Sequence, residues 1–189
     1  MSLKGDNGER NRWLLVAVST AGAPASLRVY VWRRLRLLGA VYLQQSVCVL
    51  PATPDVRREI NRFADRVRQE GGAVRVLGFQ ATDLREHRRL VAEFNDARDT
   101  EYAELSDGVP SFLEELAMER KRGRTTYAEV EESEADLERF RSWLAKITKR
   151  DYFRASKGEE ARLAVEHCAH TLAAFEDAAF AAEETSDAS

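Results

Sequence analysis

Cysteine is scarce in this sequence of 189 residues, and no long hydrophobic run is present. The two cysteines, Cys48 and Cys168, each fall on an apolar stripe, where a thiol usually serves as a small buried hydrophobic residue. A disulfide framework is therefore excluded, and a reducing cytoplasm is the expected location. The longest apolar run, residues 13–18, is too short for the core of a secretory signal or for a membrane span.

The sequence also lacks the motifs of the common enzyme classes. It contains no glycine-rich phosphate loop, no G-x-S-x-G motif and no cysteine–histidine pair with a third, orienting residue. His167, Cys168 and His170 lie close together, but on a helix Cys168 would be rotated by about 100° from His167, and no fourth ligand is evident. We therefore predict a protein without enzymatic activity, metal or cofactor.

Charge is distributed unevenly along the chain, although the net charge is only −3. Residues 1–75 contain 13 Lys and Arg against 6 Asp and Glu, a balance of +7, whereas residues 76–189 contain 16 against 26, a balance of −10. A cationic segment of this kind is typical of a surface that binds a polyanion, and solvated amphipathic helices also produce some asymmetry. Both interpretations stay open on charge alone.

Arginine is concentrated on two predicted amphipathic helices within the cationic segment. The first covers residues 25–38, and the second follows a cap at Thr53 or Asp55. The apolar stripe of the first helix is Leu27, Val31, Leu35 and Leu38. The outward residues of the first helix are Arg28, Arg33 and Arg36, with Trp32 and Arg34 on its flanks, and those of the second are Arg57, Arg58, Arg62 and Arg66.

These nine outward residues have the chemistry of a nucleic-acid interface. Guanidinium groups bind phosphate oxygens in bidentate fashion, and an indole stacks on a base or on arginine. The alternative is that Trp32 covers an edge of the sheet and that the arginines are merely solvated. If the surface neutralises about six phosphates, the logarithm of the association constant should fall with the logarithm of the salt concentration with a slope of about −5.

The order of the predicted elements indicates an α+β fold. Four short apolar runs are predicted strands, at residues 13–19, 40–43, 46–50 and 73–80. Gly39 and the glycine pair at residues 71–72 provide stops for the two helices. The resulting order, β-α-β-β-α-β, is that of a ferredoxin-like unit over residues 12–81, with both helices on one face of a four-stranded antiparallel sheet.

The next part of the chain, residues 82–182, is predicted to be helical. Its apolar residues recur at helical spacing in four segments, and Ser156 is in position to cap the last of them. We predict a helical hairpin or bundle that packs on the first domain, and we expect a homodimer. Residues 1–11 are polar and aperiodic, a predicted disordered lead-in, and residues 183–189 form an acidic tail.

Several separated stretches form a recognisable pattern that covers most of residues 12–180. They are Trp13 with the short strand that follows it, RVYVWRRLRLLGAV (28–41) and SVCVLP (46–51), then FNDARDTEYAEL (94–105), TYAEVEESEADLERFRSWL (126–144) and RDYF (150–153). In this order they resemble the ChrB family of chromate-resistance regulators, the first part its N-terminal domain. The first unit also resembles the central domain of PaaX-type repressors, a relative of the Cas2 fold.

The resemblance implies a cytoplasmic bacterial transcription regulator that binds the promoter of a chromate-efflux operon and is released when chromate is sensed. It assigns DNA binding to the arginine-rich N-terminal part, here Arg28, Arg33, Arg34 and Arg36. Full-length members continue into a C-terminal domain associated with the chromate response, so sensing by the sequence given stays open. Chromate is a tetrahedral dianion, which arginine and backbone N–H groups hold as they hold sulfate or phosphate.

Two other function classes compete with DNA binding. An interaction scaffold would use the acidic helical half of one chain to dock on the basic face of another. A Cas2-like metal-dependent nuclease would need an acidic ligand at the end of the first strand, and WLLVAVST supplies none. We therefore predict a DNA-binding regulator or accessory protein, with the scaffold as the alternative.

Overall fold

The computed structural model describes residues 12–122 and 127–187, so the predicted lead-in at residues 1–11 lies outside the described part. The first six elements are β1 (Arg12–Ser19), α1 (Ala25–Leu37), β2 (Val41–Gln44), β3 (Val47–Pro51), α2 (Pro54–Gln69) and β4 (Ala73–Gln80). They are followed by α3 (Leu84–Asp107), α4 (Val109–Arg122), α5 (Tyr127–Thr148) and α6 (Gly158–Asp187). The predicted tail therefore begins inside α6, and its last two residues lie outside the described part.

The four strands form one antiparallel sheet in the order β2-β3-β1-β4. β1 is central because it pairs with both β3 and β4, with Leu14 opposite Leu50 on one side and opposite Gly78 on the other. The connections through α1 and α2 each pass over one intervening strand, which is the ferredoxin-like arrangement. The α+β fold class and the β-α-β-β-α-β order predicted from the sequence are confirmed.

Local signals in the sequence set the limits of both helices on this sheet. Gly39 after α1 has a φ of 69° and Gly71 after α2 has a φ of 85°, a left-handed conformation that glycine adopts without the steric penalty of a Cβ atom. At the start of α2, the Thr53 side chain accepts a hydrogen bond from the Val56 backbone N–H at 3.3 Å. Of the two predicted caps, Thr53 is therefore the one that the fold uses.

One face of the sheet is covered by α1 and α2. Alternate residues of β1, namely Leu14, Val16 and Val18, share this face because successive side chains of a strand point to opposite sides. They pack in one core with buried residues of the two helices, which are Leu27, Leu35, Val56, Ile60, Phe63, Ala64 and Val67. This burial determines which side of each helix faces outward.

Trp13 lies on the opposite face of β1 and is fully buried. It packs with Val49, Leu90 and Phe94, and with Phe153, whose ring centroid is 5.5 Å from that of the indole. The continuous apolar sequence predicted a strand buried on both faces. β1 is buried along the face that carries Leu14, Val16 and Val18, whereas on the opposite face Trp13 is buried and Leu15 and Ala17 are half-buried.

The chain comprises two compact units, one of Met1–Asn95 with Arg150–Phe153 and one of Asp96–Lys149 with Arg154–Ser189. In the first unit, Tyr152 donates its hydroxyl to the backbone carbonyl of Leu38 at 2.8 Å. The second unit has its own apolar core, which includes Tyr102, Leu105, Phe112, Leu137, Ile147, Val165, Cys168, Leu172 and Phe175. Among residues 12–122 and 127–187, no helix has an apolar stretch long enough to span a bilayer.

The start of α6 differs from the sequence prediction that Ser156 caps this helix. Ser156 instead donates its hydroxyl to a carboxylate oxygen of Asp99 at 2.8 Å. The other oxygen of Asp99 accepts the Lys157 backbone N–H at 2.7 Å. The acceptor near the start of α6 is thus supplied by α3, 58 residues earlier in the sequence, which helical spacing alone does not reveal.

Gly72, which follows α2, lies so close to the core of the first unit that a larger residue there tests the packing of this core. A Cβ atom on Gly72 would lie 2.8 Å from Cγ1 of Val67 and 3.0 Å from Cδ2 of Leu27, both in the buried core. We expect Gly72→Ala to lower the free energy of unfolding by about 1–3 kcal/mol, measured by urea denaturation, because the core must shift to admit the methyl group.

Gly78→Ala is the matched control, since a Cβ atom at Gly78 meets nothing within 4 Å. We expect this variant to change the free energy of unfolding by less than about 0.5 kcal/mol. Equal effects of the two substitutions would contradict the packing of α1 against the end of α2.

Candidate nucleic-acid interface

The sequence of α1 divides its surface into an apolar and a cationic side. Leu27 and Leu35 are buried in the sheet core, and Val31 and Leu38 are half-buried against the same core. The predicted apolar stripe is therefore confirmed. The residues on the other side, Arg28, Trp32, Arg33 and Arg36, are all exposed.

The exposed side of α1 carries positive charge without acidic neighbours on the same helix. α1 contains four arginines and no Asp or Glu. Within residues 12–122 and 127–187, no carboxylate forms an ion pair with Arg28, Arg33 or Arg36. The Arg36 guanidinium lies 5.2 Å from the ring centroid of Trp32, which is itself 52% exposed. Trp32 is thus a half-exposed aromatic residue on the surface and not a member of the buried core.

Arg34 has a different role from the other arginines of α1. Its side chain is partly buried and forms an ion pair with Glu59 of α2. Glu59 also accepts a hydrogen bond from Nη1 of Arg62 at 3.1 Å. The structure therefore places Arg34 at the contact between the two helices, where its charge is shared with a carboxylate of the same chain.

The arginines of α2 are mostly paired with carboxylates one helical turn away. Arg58 pairs with Asp55, Arg62 with Glu59 at 3.1 Å, Arg66 with Glu70 at 2.6 Å and Arg68 with Asp65 at 3.2 Å. Arg57 donates through Nε to the Ala52 carbonyl at 3.2 Å. Because α2 has five arginines against three acidic residues, while α1 has four against none, the predicted cationic surface is concentrated on α1.

Arg66 also touches α1. Its guanidinium carbon lies 3.9 Å from the ring centroid of Tyr30, a cation–π geometry. The hydrogen bond to Glu70 is the main cause that raises the pKa of Arg66 above its ordinary value. Ion pairs on an exposed surface contribute little to stability, so phosphate oxygens can replace these carboxylates at low cost.

A groove lies beside the cationic side of α1, with a volume of about 430 Å³. We call it the α1 groove. Its lining combines aromatic, cationic and hydroxyl-bearing residues from α1, the loop after β1 and the β2–β3 hairpin, and contains no Asp or Glu among the described residues. The polar and aromatic lining residues are Ser19, Thr20, Arg28, Trp32, Tyr42, Gln45 and Ser46.

The hairpin side of this groove was not predicted as functional from the sequence. Tyr42 lies on the edge strand β2 and is 43% exposed. Partial burial is the larger cause that raises the pKa of Tyr42, and the neighbouring Cys48 is the smaller one, so the phenol stays protonated at neutral pH. The sequence shows a tyrosine in a short predicted strand, but this pattern does not reveal which residues of α1 lie beside the tyrosine.

Comparison with known proteins identifies the family of this chain. Residues 28–186 match the family model described as "Protein ChrB, N-terminal". The chain belongs to the ChrB N-terminal family. The protein ChrB of Cupriavidus metallidurans is 35% identical over 92 residues, which are 49% of this chain and 28% of that protein. The matched segment thus spans less than a third of the relative, while the family match includes all four arginines of α1.

The histidine and cysteine residues of this ChrB-family chain do not converge on a metal-binding arrangement. His167 and His170 are exposed, whereas Cys168 is buried in the second core. Across residues 12–122 and 127–187, no group of three or more His, Cys, Asp or Glu side chains has the geometry to hold a metal ion. Cys48 is buried in the first core, and both cysteines are free thiols. The sequence prediction that both are small buried hydrophobic residues is confirmed.

Burial of the two thiols predicts slow thiol chemistry in the folded chain. Desolvation raises the pKa of Cys48 to about 12 and also raises the pKa of Cys168. The thiolate is the reactive form, so at pH 8 we expect Ellman's reagent to label the native chain at least about 100-fold more slowly than the chain in 8 M urea.

The same raised pKa sets the pH dependence. In the unfolded chain a cysteine loses its proton at pH ~8.5, whereas folded Cys48 keeps its proton at this pH. The contribution of Cys48 to the free energy of unfolding therefore declines as the pH rises above ~8.5. Rapid labelling of one equivalent of native thiol at pH 8 would contradict the burial of the cysteines.

Proposed function

We propose that this chain is a transcription regulator, or an accessory of one, that binds DNA through the cationic side of α1 in a chromate-resistance system. The observation that carries the proposal is the set of exposed arginines Arg28, Arg33 and Arg36, for which no described carboxylate forms an ion pair. Membership of the ChrB N-terminal family supports the regulatory context.

The physical basis is attraction between guanidinium groups and backbone phosphate. Each phosphate that arginine neutralises releases condensed counterions from DNA, which makes the affinity salt-dependent. Arg28, Arg33 and Arg36, with which no described carboxylate forms an ion pair, are all exposed on a single helix. At about 100° per residue they lie within an arc of about 140° on its outward side. Such contacts position the protein on the duplex, and they do not by themselves read the base sequence.

The proposed contribution of α2 is smaller. Arg58, Arg62 and Arg66 must exchange a carboxylate for a phosphate oxygen, whereas Arg57 is exposed and bonded only to a backbone carbonyl among the described residues. Arg34 is committed to Glu59 between the helices. In this proposal α1 supplies most of the affinity, and α2 extends the contact when carboxylate partners are displaced.

A homodimer is part of the same proposal, because regulators that bind two half-sites on DNA use two-fold symmetry. The competing scaffold proposal places the acidic second half of one chain on the α1 arginines of another. Its support is the charge difference between the two parts of the sequence, +7 for residues 1–75 and −10 for residues 76–189. DNA binding and self-docking would use the same arginines, so they would be mutually exclusive.

Two variants with equal change in net charge test the DNA contact. One carries Arg28→Ala, Arg33→Ala and Arg36→Ala on α1, and the matched control carries Arg58→Ala, Arg62→Ala and Arg68→Ala on α2. We expect the α1 variant to lose about 10-fold or more in affinity at 0.15 M salt and to reduce the salt slope by about 2.7, since each lost phosphate contact removes about 0.9.

The measurement is fluorescence anisotropy with 30-bp duplexes that tile the DNA upstream of the gene for this chain, between 50 and 300 mM salt. For the α2 variant we expect a change in slope below about 1. Equal losses from both variants would show that net charge alone governs binding. The scaffold would be favoured if the α1 variant kept its full affinity for DNA and also failed to form salt-dependent dimers that the native chain forms.

Chromate gives a separate test of ligand selectivity. The exposed arginines attract any tetrahedral dianion, and α1 offers no group that distinguishes chromate from sulfate. We expect sodium chromate and sodium sulfate, at equal ionic strength, to displace DNA from this chain at the same concentration within about twofold. Displacement by chromate at a concentration tenfold or more below that of sulfate would instead demonstrate a selective chromate site.

A further inference from the structure

The α1 groove has a chemistry that phosphate binding does not explain. A surface that only grips the DNA backbone needs cations, yet this groove also presents two exposed aromatic side chains, Trp32 on α1 and Tyr42 on β2. Large exposed aromatic residues near a cationic surface are typical of sites that stack planar rings. The groove therefore suits a ligand that has both an aromatic ring and an anionic group.

The lining of the groove is organised by the sheet and is not a chance gap between loops. The Val18 backbone N–H donates to the Ser46 carbonyl at 2.8 Å, which ties the end of β1 to the turn of the hairpin. Val31 and Leu35, which also line the groove, belong to the side of α1 that packs on the sheet core. The groove is thus built partly from residues of the sheet core.

The charge of the groove selects an anion. Arg28 lines it, and no lining residue among the described ones is acidic. By contrast, the two depressions around Trp143 in the second unit include Glu115, Asp136 and Glu138. The hydroxyl and amide groups of Thr20 and Gln45 add hydrogen-bond donors and acceptors of the kind that contact the edge of a base.

The volume of about 430 Å³ falls in the range of small-molecule sites, about 300–1,000 Å³. In a paired duplex both faces of each base are already stacked, so a base can enter the groove only when it is unpaired. The Arg36 guanidinium beside Trp32, 5.2 Å from the ring centroid, adds positive charge next to the stacking surface.

We propose that the α1 groove binds one unpaired nucleotide of the DNA held by α1, with the base against Trp32 and Tyr42 and its phosphate on Arg28. This inference rests on the proposed function, since α1 must first hold the DNA. It adds a preference for duplexes with a bulged or extruded base over fully paired duplexes.

The test compares two 24-bp duplexes that differ only by one additional, unpaired 2-aminopurine nucleotide at the centre of one strand. The full chain is titrated into each duplex, which carries an anisotropy label at one end, and 2-aminopurine fluorescence is recorded for the bulged duplex. We expect about tenfold tighter binding of the bulged duplex, the lower part of the range for one stacked base, together with quenching of 2-aminopurine by the aromatic wall.

Variants of the edge strand locate the effect. Tyr42→Ala should reduce the ratio of bulged to paired affinity from about tenfold to below twofold, and Tyr42→Phe, which keeps the ring, should retain most of it. The matched control is Leu43→Ala, the next residue on β2, which is 47% exposed and does not line the groove. This control should leave the ratio unchanged.

The outcomes separate the groove from the proposed function. Binding of both duplexes with equal affinity and without quenching would overturn the groove assignment while DNA binding stands. A bulge preference that survives Tyr42→Ala would place the unpaired base elsewhere and also overturn it. Failure of both duplexes to bind would overturn both proposals, and tighter binding of single-stranded RNA of the same sequence would show that DNA is the wrong polymer.

Discussion

The packing of α1 on the central strand is the constraint on which the interface depends. Leu27 and Leu35 are buried against the face of β1 that carries Leu14, Val16 and Val18. Each such leucine contributes about 1.5–3 kcal/mol when it is buried, so the helix cannot rotate without large loss of stability. Because one side of α1 is fixed in this way, Arg28, Arg33 and Arg36 must face solvent, and the cationic surface is a consequence of the hydrophobic core.

The outward sides of α1 and α2 differ in how far their arginines are neutralised by neighbouring carboxylates. Both helices pack an apolar stripe on the sheet, but only α2 places acidic residues one turn from its arginines, as in the pair Arg66 and Glu70. Such pairs reduce the local potential at little benefit to stability. α1 has no acidic residue, so three of its four arginines, Arg28, Arg33 and Arg36, face outward without a described carboxylate partner, while Arg34 pairs with Glu59 of α2. Two helices with similar arginine content therefore differ in their suitability for a polyanion.

Much of the fold and part of the interface were predictable from the sequence, because the spacing of apolar residues and the residue types at turns determine local structure. The stripe of α1, the glycine stop at Gly39 and the α+β order all follow from residues close together in the chain, and the ion pairs of α2 lie at spacings of three and four residues. What spacing does not give is contact between distant segments. The Arg34–Glu59 pair, the contact between Asp99 and the start of α6, and the groove wall at Tyr42 arise from tertiary packing. For this reason the sequence pattern placed Arg34 on a flank of α1 and among the predicted DNA contacts, and it did not reveal the partner Glu59.

The most direct measurement of the central claim is a nuclear magnetic resonance titration of the ¹⁵N-labelled chain with a DNA duplex, which follows the backbone amides and the Nε–H groups of arginine. The account predicts that the largest perturbations lie on α1 and at the side chains of Arg28, Arg33 and Arg36, with smaller ones on α2. Perturbations confined to α4, α5 and α6, or to the opposite face of the sheet around Trp13, would contradict it.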